Sequence, residues 1–238
     1  MASSGTFSWS PTTAELIDEA FERARIDPAT ITVYQQFSAR RSLNAILTDW
    51  SNKGINLWTV EQRTLTLVAG TASYTLPAEV IDVLEAVLRR SGKDTPMMPM
   101  GREEYLGLPD KTLRGRPDRY FTDRQAAAVV LKPWFVPENS TDTIIYSDFR
   151  SLQDVKADMA QNVDTPKRWL DALFDELAVR VHRKWGSDRT TTDKEGNVRR
   201  SYDGSLEKVL REVAAASFNV ARMEDRERVP TRLRVKFS

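Results

Sequence analysis

The hydrophobic pattern of this chain changes its period twice, and this change limits the fold more than any other feature. Toward both ends, apolar residues recur every three or four positions, as they do on one face of a helix. In the middle third, short apolar runs are punctuated by Pro117, Pro133 and Pro137, which is typical of β-structure. The order predicts an α+β protein: a helical bundle of four main helices with a β-rich insertion and an extended C-terminal arm.

Helix-start signals predict two helices in the N-terminal part of the bundle, residues 1–56. Thr12 with Glu15, and Thr32 with Gln35, have the spacing of a capping box, in which each side chain bonds to the backbone of the other residue. Apolar residues at helical spacing follow each box, so both helices are predicted to bury one face in a core.

The C-terminal part of the bundle, residues 151–227, contains the other two predicted helices. Thr165 precedes Pro166, the arrangement of an N-cap residue followed by a proline at the first helical position. Residues 187–204 are polar and are predicted to form a loop. The last helix is predicted to begin near Ser205, and its inward-facing residues are Leu206, Val209, Leu210, Val213 and Ala214.

Residues 57–150 are predicted to form the β-rich insertion. The pattern predicts strands at residues 63–68, 73–76, 120–122, 127–131 and 143–146. Residues 80–90 fit a helix as well as a strand. We favour a short turn and then a strand from Val83, because Ser91-Gly92-Lys93-Asp94 looks like a hairpin turn from which residues 96–100 return.

Basic and apolar residues alternate strictly in the predicted arm, residues 228–238, so that an extended strand would have one basic and one apolar face. The alternating residues are Arg232, Leu233, Arg234, Val235, Lys236 and Phe237. Ordering about eight residues costs roughly 8–16 kcal/mol, whereas burying three apolar side chains returns roughly 5–9 kcal/mol. We therefore expect the arm to add to a sheet, either the protein's own or that of another molecule. A partner's sheet is the simpler case, so we take these six residues as candidate partner-binding residues.

The residue content excludes several classes of active site. The chain has no cysteine, which excludes thiol catalysis and cysteine-ligated metal centres. His182 is the only histidine, so a two-histidine metal site cannot form within one chain, and we expect this side chain on a helix surface. Glycine-rich phosphate loops are also missing. We therefore expect no catalytic residues, no cofactor and no metal ion.

Two other functions stay open from the residues alone. A cell-wall-degrading hydrolase would need paired carboxylates, for which Asp171 with Asp175, or Glu103 with Glu104, are candidates. Sequence spacing does not establish the geometry of such a pair, and solvated helix faces account for these acids more simply.

A DNA-binding module is the second alternative, because arginines occur in clusters. The clustered residues are Arg40 and Arg41, Arg89 and Arg90, Arg114 and Arg116, and Arg199 and Arg200. The formal net charge is only +1, so no global field attracts nucleic acid. We expect most of these arginines to be solvated or paired with acids.

Five segments, in their order and spacing, resemble the head-to-tail adaptor proteins of short-tailed bacteriophages. They are Arg41-Ser42-Leu43-Asn44, residues 49–58 (Asp-Trp-Ser-Asn-Lys-Gly-Ile-Asn-Leu-Trp), Tyr74-Thr75-Leu76-Pro77, Gly115-Arg116-Pro117 with Tyr120, and residues 164–173 (Asp-Thr-Pro-Lys-Arg-Trp-Leu-Asp-Ala-Leu). The resemblance implies a structural virion protein rather than an enzyme, with a helical bundle and a β-rich insertion.

The resemblance also implies partners. Such adaptors form a twelve-fold homo-oligomeric ring beneath the portal protein after packaging, extend the DNA channel and give the tail nozzle protein a docking surface. Packaged DNA passes through the lumen without sequence-specific binding, and in some relatives a C-terminal arm docks onto the portal. The implied location is the head-to-tail interface of the virion, after synthesis in the bacterial host cytoplasm. No membrane partner is expected, since no apolar run approaches the roughly 20 residues that span a bilayer.

Overall fold

The chain leaves one structural unit and later returns to it. Met1–Leu57 and Leu152–Ser238 make up the helical unit, and Trp58–Ser151 make up the β unit. The computed structural model describes residues 5, 9–53, 57–187, 189–192, 198–201 and 204–225. The predicted arm, residues 228–238, lies outside the described residues.

Five α-helices occur among the described residues: α1 (Thr13–Arg23), α2 (Val33–Lys53), α3 (Arg102–Gly107), α4 (Lys167–Trp185) and α5 (Ser205–Glu224). Short 3₁₀ turns occupy Pro28–Thr30 and Leu57–Thr59. Both predicted capping boxes are confirmed. The backbone N–H of Thr12 donates to Glu15 Oε2 at 2.8 Å, and that of Thr32 donates to Gln35 Oε1 at 2.8 Å. Because α4 begins after Pro166, the proline occupies the N-cap position, one residue later than predicted.

Helix α4 is the centre of the helical unit, because α1, α2 and α5 all pack against it. Its buried apolar residues include Trp169, Leu173, Leu177 and Val181. An aromatic cluster joins three helices: the Trp169 ring lies 5.1 Å from that of Trp50 on α2 and 5.4 Å from that of Phe218 on α5. Burial of these large rings stabilises the unit and sets the side of α5 that faces inward.

Twelve strands occur among the described residues: β1 (Val60–Thr66), β2 (Tyr74–Thr75), β3 (Val80–Arg90), β4 (Lys93–Pro96), β5 (Met98–Met100), β6 (Arg114–Gly115), β7 (Arg119–Arg124), β8 (Val129–Trp134), β9 (Val136–Pro137), β10 (Thr143–Arg150), β11 (Arg189–Thr192) and β12 (Val198–Ser201). In the β unit, one sheet has the order β1-β10-β3-β4, a second has the order β2-β8-β7-β5, and β6 pairs with β9. In the helical unit, β11 and β12 pair antiparallel with each other.

Strand β3 explains why residues 80–90 fitted two patterns. It is a strand from Val80 onward, three residues earlier than predicted, and its pairing with β10 shifts register twice. Each bulge adds a residue, so the buried positions Val80, Val83, Ala86 and Leu88 are spaced by three, three and two. A hairpin forms here as predicted, but its turn is shorter: Gly92, with a φ of 76°, turns the chain into β4, which begins at Lys93 inside the predicted turn. Residues Met98–Met100, however, pair with β7 in the other sheet.

The predicted fold class, a bundle of four main helices, is wrong. The described residues add α3 as a fifth helix and contain two four-stranded and two two-stranded sheets, so the fold is more β-rich than predicted. Some of the additional β-structure lies in residues 187–204, which were predicted to form a loop. Strands β11 and β12 lie there. Thr190, Thr191 and Thr192 are β-branched and favour a strand, although their polarity indicated a loop. The β-rich insertion itself fits in part.

Candidate assembly surface

The candidate partner-binding residues of the arm lie outside the described residues, so their role stays a prediction. They are Arg232, Leu233, Arg234, Val235, Lys236 and Phe237. Among the described residues, the features that suit contacts with another protein lie on α5 and at the start of α2.

The outward side of α5 carries an apolar stripe. Val209, Val213, Val220 and Met223 expose 52%, 47%, 60% and 66% of their surfaces, and Ala216 between them is also exposed. Successive members are spaced by four, three, four and three residues, the spacing of the contact positions in a coiled coil. We call these five residues the α5 outer stripe. A helix that is apolar on two sides is normally covered on both.

Contacts with α4 fix which side of α5 faces inward. Leu206, Ala214 and Ala221 are buried, and the ion pairs lie at the two ends of the helix. At the first turn, Arg183 Nε lies 3.2 Å from Glu207 Oε1, and Arg211 also binds Glu207. Just past the last turn, Arg168 Nη2 lies 2.5 Å from Asp225 Oδ1.

The pKa of Glu207 reflects these contacts. Hydrogen bonds, first from Arg211 and then from Arg183, hold this pKa below its ordinary value although burial opposes them. The carboxylate is therefore ionised at neutral pH and contributes to holding α5 on α4. Because α5 is held at both ends, its outer stripe remains on the solvent side.

The prediction that Val209 and Val213 face inward is wrong. Apolar residues occupy two sides of α5, so periodicity alone fitted either side. The deciding contact is Phe218, whose ring packs against both Trp50 and Trp169. The spacing of the outer stripe was visible in the sequence, but its exposure depended on a tertiary contact.

A second apolar patch lies at the start of α2. Val33, Tyr34 and Phe37 are exposed there, one helical turn apart, and the guanidinium of Arg40 lies 5.6 Å from the Phe37 ring centre. We call the three apolar residues the α2 entry patch. Exposed aromatic side chains of this kind are enriched in protein–protein contacts. The helical unit thus has two different apolar patches on two different helices.

A family comparison gives these patches a context. The model of the SU10 adaptor protein family matches residues 11–235, nearly the whole chain. The chain belongs to the SU10 adaptor protein family. It is therefore an adaptor protein of a bacteriophage, a structural virion component, and the predicted resemblance to phage adaptors is confirmed at this level. A search of curated proteins found no match. Within the described residues, no helix of the adaptor is both long and apolar enough to cross a membrane.

The single histidine of the adaptor is not on a helix surface, so that prediction is wrong. His182 is fully buried in α4, and its Nδ1 lies 3.4 Å from the carbonyl oxygen of Ala24. A Cβ at Gly186 would lie only 1.9 Å from His182 Nδ1, so this position needs glycine. His182 lies on a side of α4 that packs against the end of α1, and this tertiary contact buries it.

Three of the four carboxylates that a hydrolase would use are engaged in ion pairs. Asp171 and Asp175 both approach Arg23 Nη1, at 2.9 and 2.6 Å. In the β unit, Glu104 lies 2.8 Å from Arg119. Two carboxylates that share one guanidinium in a helix contact account for the structure of the adaptor without a catalytic role.

Of the six clustered arginines with described side chains, three donate hydrogen bonds to another side chain. Arg89 lies 2.6 Å from Asp94, and Arg90 lies 2.6 Å from the buried Asp142. The guanidinium of Arg116 donates to Thr95 Oγ1 at 2.6 Å. The side chains of Arg199 and Arg200 lie outside the description. The expectation that the clusters are mainly ion-paired or solvated is confirmed for the arginines of the β3–β4 hairpin.

Proposed function

We propose that this adaptor assembles into a homo-oligomeric ring, twelve-fold as in the proteins it resembles. The ring joins the portal protein to the tail nozzle protein and extends the DNA channel after packaging. The observation that carries the proposal is the α5 outer stripe, an exposed apolar surface at coiled-coil spacing in a member of an adaptor family.

A ring requires two different surfaces on each subunit. In a head-to-tail contact, one patch of a subunit meets a second patch of its neighbour, and the contacts close into a ring when the rotation allows it. The helical unit offers such a pair in the α5 outer stripe and the α2 entry patch. The proposed contact places Val213 of one subunit against Tyr34 and Phe37 of the next, so that aromatic rings cover the valine stripe.

The arm has a separate role in this proposal. Leu233, Val235 and Phe237 enter apolar pockets of the portal, and the arm adds as a strand to a portal sheet. In a ring, engagement of one arm raises the effective concentration of its neighbours, so individually weak arms give a durable joint. The basic residues of the arm face acidic groups or water.

Mass measurement tests the ring. The adaptor is analysed by sedimentation velocity alone and after mixing with portal rings, and we expect a multi-subunit ring at least in the mixture. Val213→Glu places a charge in the stripe and raises the dissociation constant by at least about 30-fold, the effect of losing one strong interface contact. Ala215→Glu is the matched control, because Ala215 is exposed on α5 but outside the stripe. Equal assembly by the native chain and Val213→Glu would contradict the proposed contact.

Truncation after residue 229 tests the arm separately. The truncated adaptor is expected to keep the circular dichroism spectrum and thermal midpoint of the full chain while losing attachment to the portal. Attachment at native affinity would remove the arm from the proposal and leave the ring contact standing.

A further inference from the structure

A basic groove lies between α2 and α4 in the helical unit, with a volume of about 450 Å³. Its charged lining consists of Arg41 from α2 and of Glu176, Arg180, Arg183 and Lys184 from α4. Four cations and one carboxylate give the lining a formal charge of +3, whereas the whole chain carries +1. The groove is therefore a local concentration of positive charge that the composition of the chain hides.

Two of these cations lack an acidic partner within the described part of the chain. Lys184 Nζ donates to Ser42 Oγ at 2.6 Å, and it lies 3.1 Å from the hydroxyl and 3.3 Å from the carbonyl oxygen of Ser38. These partners are neutral, and no ion pair involves Lys184 or Arg41 among the described residues. Burial, together with the positive charges of Arg41 and Arg180, lowers the pKa of Lys184. Among the described residues, acids therefore pair with Arg180 and Arg183 but leave the charges of Arg41 and Lys184 uncompensated.

Other described arginines of the adaptor differ from this arrangement. Arg23 binds Asp175, Arg90 binds Asp142, and Arg168 binds Asp225. Such pairs remove the repulsion between cations and the cost of burying them. An anion in the groove would do the same for Arg41 and Lys184.

The lining also indicates which anion fits. Protein partners are normally anchored by aromatic or large apolar side chains, and the largest apolar residue in the groove is Val179. Guanidinium, ammonium and hydroxyl groups, here Arg41, Lys184 and Ser42, are the usual donors to phosphate oxygens of nucleic acid. Such contacts recognise charge and not base sequence, which suits a polymer that must move past the protein.

We propose that the groove between α2 and α4 binds the phosphate backbone of duplex DNA through Arg41, Arg180 and Lys184. The inference rests on the proposed function, in which DNA passes through the ring. It goes beyond that function by naming the surface and the phosphate contacts. Binding is independent of base sequence, modest in affinity and strongly dependent on salt.

Fluorescence anisotropy with a labelled duplex of mixed sequence tests this proposal on the full-length adaptor. Affinity should fall linearly on a log–log plot against salt, with a slope of about −0.9 for each phosphate contact. Removing two contacts with Arg41→Ala/Lys184→Ala should reduce the size of the slope by roughly two and lower the affinity at low salt by about tenfold or more. Arg41→Gln alone, at an exposed position, gives a second reading if the double variant folds poorly.

Lys208→Ala/Arg222→Ala is the matched control, because it removes the same charge from exposed positions on α5, outside the groove. The control should keep the native slope. Three outcomes would each overturn the proposal. The two double variants could lose the same affinity for duplex, the native adaptor could fail to bind duplex at low salt, or it could bind polyglutamate more tightly than duplex. Sedimentation of the same samples separates this inference from the ring, since the groove variants should assemble as the native chain does.

Discussion

The two units of this adaptor differ in how their charged residues are paired and in how their exposed apolar residues are distributed. In the β unit, these cations are paired with acids: Arg90 binds Asp142, and Asp123 binds Lys132 and Arg102. Its exposed large apolar residues occur singly on different elements, as is normal for a protein surface: Val68, Leu84, Met98, Leu106 and Leu113. The β unit has few features that require a partner.

The helical unit has several such features. Its last helix has an apolar stripe on the solvent side, its second helix begins with exposed aromatic residues, and its basic groove contains Arg41 and Lys184 without acidic partners among the described residues. The same unit has a core in which the large rings of Trp50 and Trp169 are fully buried. This difference supports the proposal that the helical unit carries the assembly contacts.

The largest expected effect tests whether the core of the helical unit supports its outer surface. Trp169→Ala removes a fully buried ring that contacts both Trp50 and Phe218 and should lower the free energy of unfolding by about 3–5 kcal/mol. Because Phe218 lies on α5, the variant should also lose assembly. Urea denaturation and sedimentation measure the two effects. Val209→Ala, at an exposed position, should change the stability by less than about 0.5 kcal/mol; a similar loss in both variants would contradict the assignment of inner and outer sides.

A smaller effect tests the internal charge pairing of the β unit. Arg90→Met leaves the buried carboxylate of Asp142 without its guanidinium and should cost about 1.5–3 kcal/mol. Arg89→Met in the same hairpin breaks an exposed pair with Asp94 and should cost about 1 kcal/mol or less. Urea denaturation compares the two variants directly. Equal losses in the free energy of unfolding would show that the buried pair stabilises the unit no more than the exposed pair does.

The smallest effect is a difference in the response of the two units to acid. Hydrogen bonds from Arg211 lower the pKa of Glu207, so its stabilising contribution is present above the ordinary pKa of 4.5 and is lost as the pH falls through the lowered value. In the β unit, burial raises the pKa of Asp148, although Arg63 lies 3.1 Å away. Ionisation of Asp148 therefore opposes folding, and stability is lost as the pH rises through the raised value.

Two variants measure this difference through the free energy of unfolding as a function of pH. Glu207→Gln should have a lower free energy of unfolding than the native chain at neutral pH. This difference should shrink as the pH falls, because the native carboxyl is then protonated. The free energy of unfolding of Asp148→Asn should increase relative to that of the native chain as the pH rises. Changes of the same sign in both variants would contradict the assigned pKa directions.

Local signals predicted the local structure well, and tertiary contacts explain the failures. The capping boxes at Thr12 and Thr32 depend on residues three positions apart, so the sequence predicted both helix starts. The side of α5 that faces inward depends on Phe218 meeting two tryptophans far away in the chain. Similarly, the burial of His182 depends on α1, since its ring approaches Ala24.

The candidate site was only partly visible in the sequence. Val209, Val213, Val220 and Met223 stand at coiled-coil spacing in the sequence, but the same helix has a second apolar side. The basic groove combines Arg41 with Lys184, more than 140 positions later in the chain. The acids and bases of the whole chain nearly cancel, so the composition did not indicate a local excess of positive charge. In the β unit, the bulges in β3 changed the apolar period from two to three, which concealed the length of the strand.

Disulfide cross-linking tests the central claim most directly, because the chain has no native cysteine. Tyr34→Cys/Val213→Cys places one thiol in the α2 entry patch and one in the α5 outer stripe. Under oxidation, the proposed head-to-tail contact predicts a ladder of covalent oligomers for this double variant, and none for Tyr34→Cys/Ala215→Cys. Absence of the ladder from assembled protein, or covalent dimers from Val213→Cys alone, would contradict the claim that the stripe of one subunit meets the α2 entry patch of the next.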